Sequence, residues 1–224
     1  MSITLGIYDL FSYLIPGVLY LYLISETLRL FKVDPISLMP PMPEGVLYVL
    51  GLVLAFVAGH IFDLVARWLV FRLIFRDKTS QTVLETIQRR DVDANLQFAA
   101  KDWHLLLVLL RQRNFEVAQS FDKHEADSIM FRNISLIGFL MVLILGYRAL
   151  TENSWLWIAA AIATLVFVMA ANRSRTLHTW FFEGIFLAAL EYGNSVSKVI
   201  ENQAKQDLEH LVRISLSRKN AKGE

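Results

Sequence analysis

GVLYVLGLVLAFVAGHIF, residues 45–62, runs for eighteen residues without a formal charge and contains a single histidine. Wound as a helix at about 1.5 Å per residue, it covers most of a hydrocarbon core of about 30 Å. Its flanks are of opposite character, with Pro40, Pro41 and Pro43 before it and Asp63 and Arg67 after it. The stretch predicts a transmembrane helix. Three more windows repeat the pattern. The first, about 10–25, is interrupted by Pro16-Gly17, which between lipid-embedded helices makes a kink and not a stop. The third, Ile134–Tyr147, is short unless Ile129–Phe131 join it past Arg132. The fourth, Trp155–Ala171, opens on Trp155 and Trp157, the residues of an interfacial aromatic belt.

Composition supports this reading. Of 224 residues, 55% are apolar, and the mean hydropathy of +0.43 is high for a soluble domain of this size. A net charge of +1 gives no bulk basicity, so binding to duplex DNA or RNA is not expected. The absence of cysteine excludes disulfides and thiolate metal sites. The first 28 residues hold no Lys or Arg, so the first apolar segment is expected to be retained, not cleaved as a signal peptide.

Lys and Arg set the orientation. With four spans, the tails and the segment 63–132 share one side, and that side holds 19 of the 22 Lys/Arg, leaving Arg29, Lys32 and Arg148 opposite. The positive-inside rule makes the rich side cytosolic, with both termini inside. The outer loop 31–44 contains four of the five prolines and should be stiff.

The sequence therefore predicts an all-α integral membrane protein with four transmembrane helices, a helical cytosolic insert and a helical C-terminal tail. Residues 1–76 hold spans one and two, the second extending to 76. Residues 77–132 form the insert, which has no Gly or Pro. Helices are expected from Thr79/Ser80 to Arg90, over 94–113, and from Phe115 onward. Residues 133–171 hold spans three and four. Residues 172–224 give an aromatic-rich helix over 176–190, lying in the interface or beneath the spans, then a partner-helix stripe over 194–216 and a disordered end.

On span two, Gly51, Ala55 and Gly59 recur every four residues, the spacing of a close-packing stripe in lipid. Counting on by four reaches Asp63 and then Arg67, an acid–base pair at the cytosolic mouth, with His60 one turn before Asp63. Two readings stand side by side. The stripe packs within one chain and ends in an interfacial ion pair, or it lines or gates a path between protomers. Glu26 and Arg29, three apart, are expected to pair with each other. In the insert, Arg89, Arg90, Lys101, Arg111 and Arg113 are candidates for an anionic ligand such as a nucleotide. The alternative is a solvated mixed face, since acids are nearly as numerous there. His60, His104, His124, His178 and His210 lack paired ligand spacing, so no metal is expected. No phosphate loop, dinucleotide fingerprint or nucleophile elbow occurs, so neither catalytic residues nor a cofactor are expected.

The opening Ile7-Tyr8-Asp9-Leu10-Phe11-Ser12-Tyr13-Leu14-Ile15-Pro16-Gly17 resembles the start of small multi-pass proteins of bacterial anti-phage defence loci. The order of spans, insert and tail is similar to the channel-forming effector of Hailong-type systems. That resemblance implies a bacterial inner membrane as the location and a homo-oligomeric pore controlled by a nucleotide signal. Physical reasoning reaches a compatible expectation. Four mostly apolar helices cannot line an aqueous path alone, so a channel would form between subunits and be gated through the cytosolic helices. The alternative is a membrane anchor or scaffold that docks a soluble partner protein without any pore.

Overall fold

The computed structural model describes residues 3–34, 42–70, 79–90 and 98–191. Among these residues all regular structure is helical: α1 (Ile3–Leu30), α2 (Glu44–Arg67), α3 (Thr79–Arg90), α4 (Trp103–Arg113), α5 (Phe115–Thr151) and α6 (Leu156–Glu191). Four of them, α1, α2, α5 and α6, are long and apolar enough to cross a membrane. Their outward faces carry large apolar side chains that a soluble domain would bury. On α2 these include Tyr48, Val49, Leu52, Val53 and Leu64, and on α6 Ile158, Ile162, Leu165 and Met169. So much exposed apolar surface is suited to lipid.

Helix ends follow local chemistry. α1 continues through Pro16 and closes with Lys32 in the left-handed region at φ 59°. There the Val33 amide donates to the Leu28 carbonyl and the Lys32 amide to that of Arg29, a Schellman ending. Asn114, in an extended conformation, separates two helices by itself. Its amide donates to the Leu110 carbonyl at 2.7 Å to finish α4, and its Oδ1 accepts from Val117 to open α5.

Two expectations about helix boundaries change. A helix over 94–113 is expected from periodicity, but the structure starts α4 only at Trp103. A single 3-10 turn over Ala100–Asp102 precedes it, with the Asp102 carboxylate accepting the Ala99 amide at 2.8 Å. That side chain satisfies the backbone at a helix start, where an interior residue would leave it to the helix. The aromatic segment 176–190, expected as a separate helix after 172, is the continuation of α6, since no Gly or Pro breaks the chain between Trp155 and Gly184. The partner stripe over 194–216 and the last part of the extended second span, 71–76, lie outside the described residues.

The chain forms two compact units. One comprises Met1–Asp77 and Asp122–Trp180, the other Lys78–Phe121 and Phe181–Glu224. In the first, α1 and α2 pack antiparallel at very close range. A Cβ on Gly17 would meet the Ala55 carbonyl, and one on Gly59 would meet that of Tyr13. Tyr20, Leu23, Ala58, Ala66, Leu136 and Ile137 make its apolar core. In the second unit, Val83, Leu84 and Ile87 form one face of α3. They pack with Leu106 and Leu110 of α4 and with Phe181, Ile185 and Phe186 at the end of α6. A Cβ at Gly184 would collide with the Phe121 ring, so a larger residue there would force that ring to move.

Candidate functional site: a buried polar layer in the span-bearing unit

The seven buried polar or charged residues described by the structure are Ser12, Asp63, Ser128, Arg132, Asn133, Ser135 and Ser174. All belong to the first unit, and four lie on one stretch of α5. The centre is an ion pair. Asp63 of α2 accepts from Arg132 through Nη2 at 2.6 Å and Nε at 3.1 Å, and from Asn133 Nδ2 at 3.2 Å, all on Oδ1. The side chains of Arg132 and Asp63 are only 3% and 7% exposed. Withdrawing both charges from water carries a large desolvation penalty, which their attraction offsets only with added hydrogen bonds.

Those bonds come from neighbours. Asn133 Nδ2 also donates to the Ile129 carbonyl at 3.1 Å. The Tyr20 hydroxyl of α1 lies 3.1 Å from both the Asn133 carbonyl oxygen and its Oδ1, and donates between them. α1, α2 and α5 therefore meet at one polar knot. Tyr20 reaches it because helical side chains lean toward their own N-terminus. Its ring stacks on Phe62 with centroids 4.3 Å apart. One turn before Arg132 and beyond, serines tie the same stretch of α5 to its other neighbours. Ser128 Oγ donates to the Ser174 carbonyl at 3.0 Å, and Ser174 Oγ donates back to the Ser128 carbonyl at 2.9 Å. Ser12 Oγ of α1 donates to the Ala126 carbonyl at 3.0 Å.

The candidates on span two divide. Ala55 and Gly59 face α1 within the chain, whereas a Cβ on Gly51 would meet nothing within 4 Å. His60 is exposed, stacks on Tyr13 at 3.6 Å, and has Nδ1 3.2 Å from the Phe56 carbonyl. Arg67 is exposed and is not the partner of Asp63, contrary to the expected pairing along one helix. Arg132, delivered by α5, reaches the carboxylate where solvent is excluded and takes its place. Glu26 and Arg29 do pair, at 2.7 Å on the surface.

In the second unit the candidate ligand residues Arg89, Arg90, Lys101, Arg111 and Arg113 are all exposed. Arg90 lies 3.4 Å from Glu183, an exposed ion pair of little energetic weight. Trp103 does not offer a stacking surface for a base. Its ring packs on the apolar core, edge-on to Phe181 and Phe182 and against His104. Among the described residues no group of three His, Asp or Glu gathers as a metal site would require.

Asp63 is legible in the sequence, but Tyr20, Arg132, Asn133 and the serine clasp are not part of the sequence-based site. The available signal was an opposite charge at the same end of two apolar windows, Asp63 after the second and Arg132 before the third. Compared with known proteins, the chain matches no family model, no curated protein and no solved structure.

Proposed function

We propose that the chain is a four-span protein of a bacterial inner membrane that acts as a homo-oligomeric channel or membrane-perturbing effector, gated through its cytosolic helices. The observation that carries this reading is the Tyr20–Asn133–Asp63–Arg132 knot. On the four-span reading its depth is counted along two helices. On the second candidate span, Glu44–Val70, exposed Tyr48 and Trp68 are twenty residues apart, about 30 Å, which matches two aromatic belts on either side of a hydrocarbon core. Asp63 lies fifteen residues from Tyr48, and Arg132 fifteen residues from exposed Tyr147, so each is about 22 Å from the outer belt. In a four-span protein with a cytosolic second unit, both counts put the ion pair about 7 Å inside the cytosolic edge of the hydrocarbon. Ionisable residues at such a depth are costly and belong by default to function.

A simple anchor has no need of such a layer. A switching element does, because a buried ion pair is strong in one arrangement and costly in any other. α5 and α6 each run unbroken from the second unit into their apolar stretch, which supports gating from the cytosol. The pore itself would form between subunits. The resemblance to anti-phage effectors makes a nucleotide signal the proposed trigger. The self-contained aromatic core of the second unit favours a second reading, a platform for a soluble partner. Purified protein in liposomes tests the first. Closed oligomers of four or more subunits and ion flux are expected, whereas a monomer without conductance would remove the channel. A stoichiometric soluble partner without flux would establish the platform.

A further inference from the structure

On α6 the exposed Ile162, Leu165 and Met169 recur at three- and four-residue spacing. The same stripe continues through exposed Arg173, Thr176 and Trp180. At 3.6 residues per turn all six fall within a sector of about 80°. Three apolar side chains are thus followed, on one face, by a cation and then by an indole, the order in which a bilayer presents acyl chain and headgroup.

The cation is held in a particular way. The Arg173 guanidinium lies 5.3 Å from the centre of the Trp180 ring. A cation–π contact uses no hydrogen-bond acceptor, so the guanidinium keeps N–H donors for an oxyanion. Among the described residues Arg173 has no carboxylate partner. A guanidinium can hold two oxygens of a phosphate through paired hydrogen bonds. α6 has no Asp or Glu from Leu156 to Phe182. The first acid beyond that stretch, Glu183, lies 3.4 Å from Arg90, so the stripe itself offers no carboxylate to the ammonium of a zwitterionic headgroup, whereas an anionic headgroup needs only the cation.

We propose that this stripe binds one anionic phospholipid of the cytosolic leaflet. Its acyl chain lies along Ile162, Leu165 and Met169, its phosphate on the edge of Arg173, and Trp180 sits at headgroup level. The site rests on the four-span reading and is independent of whether the protein conducts.

Native mass spectrometry of the full chain, with equal amounts of phosphatidylglycerol and phosphatidylcholine in the micelle, tests it. One phosphatidylglycerol per subunit is expected to persist under activation that strips phosphatidylcholine. Arg173→Ala should weaken that retention about tenfold, the loss of a charge-assisted hydrogen-bonded contact. Arg173→Lys should fall between, since it keeps the charge without the planar fork. Arg173 is exposed, so these variants should elute and melt as the parent does. Equal retention of the two lipids, or Arg173→Ala matching the parent, would overturn the site. Displacement by millimolar glycerol phosphate would also overturn it, by showing a free-phosphate site in its place. Release of the protein from membranes by alkaline carbonate would instead refute the four-span reading itself.

Discussion

Asp63 concentrates the consequences of burial at one atom. Its Oδ1 accepts three hydrogen bonds, two of them from a guanidinium almost closed to solvent. Asp63→Ala removes the carboxylate that accepts two Arg132 hydrogen bonds in a solvent-excluded site, which should lower stability by about 3–5 kcal/mol, and Arg132→Ala should cost Asp63 a similar amount. The double variant Asp63→Leu with Arg132→Leu is expected to lose much less, because it removes both desolvation penalties along with the attraction. Thermal unfolding in detergent, followed by size-exclusion chromatography, measures all three; a double variant as unstable as the singles would contradict a mutual pair. Tyr20→Phe should cost about 1 kcal/mol, the net value of one buried hydrogen bond, and a change near zero would mean the hydroxyl is not engaged. In the sequence, Asp63 stands out because counting by four from Gly51 reaches it. Arg132 reads only as a positive flank of the third span. Its role depends on a contact 69 residues away, and no spacing rule along one helix can show such a contact.

At the scale of elements, the four-residue rhythm of Gly51, Ala55 and Gly59 on α2 was visible, but the surface it fits was not. Gly17 on α1 reads as part of a Pro-Gly kink, yet it is the complement that lets the Ala55 backbone approach. Small residues let helices in lipid come close enough for dispersion contacts to hold them. Gly59→Leu and Gly17→Leu each place a side chain against a carbonyl of the facing helix. Both are expected to give polydisperse or poorly inserted protein. Gly51→Ala, with open space around it, should elute as the parent does and gain slightly in helix propensity. If Gly59→Leu were also well behaved, the α1–α2 packing would be wrong. The extents of α5 and α6 were less legible than their apolar parts. A run of charges such as Asp122–Asp127 suggests an end to a hydropathy count, yet nothing in it breaks a helix, so the backbone winds on.

For the whole molecule, the segregation of Lys and Arg implies an orientation that the helices alone leave open. Arg29, Lys32 and Arg148 stand against 19 others, a bias from which the positive-inside rule predicts a cytosolic second unit. The chain has no cysteine, so single cysteines report position without background. Asn153 lies in the turn after α5, and Lys101 in the 3-10 turn before α4; both are exposed. In right-side-out spheroplasts, Asn153→Cys should react with a membrane-impermeant maleimide at once, and Lys101→Cys only after permeabilisation. The reverse pattern would invert the protein and move Arg173 and Trp180 to the outer leaflet, whose lipid composition would then govern their site. Immediate labelling of both would put the 101 and 153 turns on one side, which an odd number of crossings between them forbids. Only the expected pattern leaves the Asp63–Arg132 pair near the cytosolic edge, within reach of helices that a soluble signal can move.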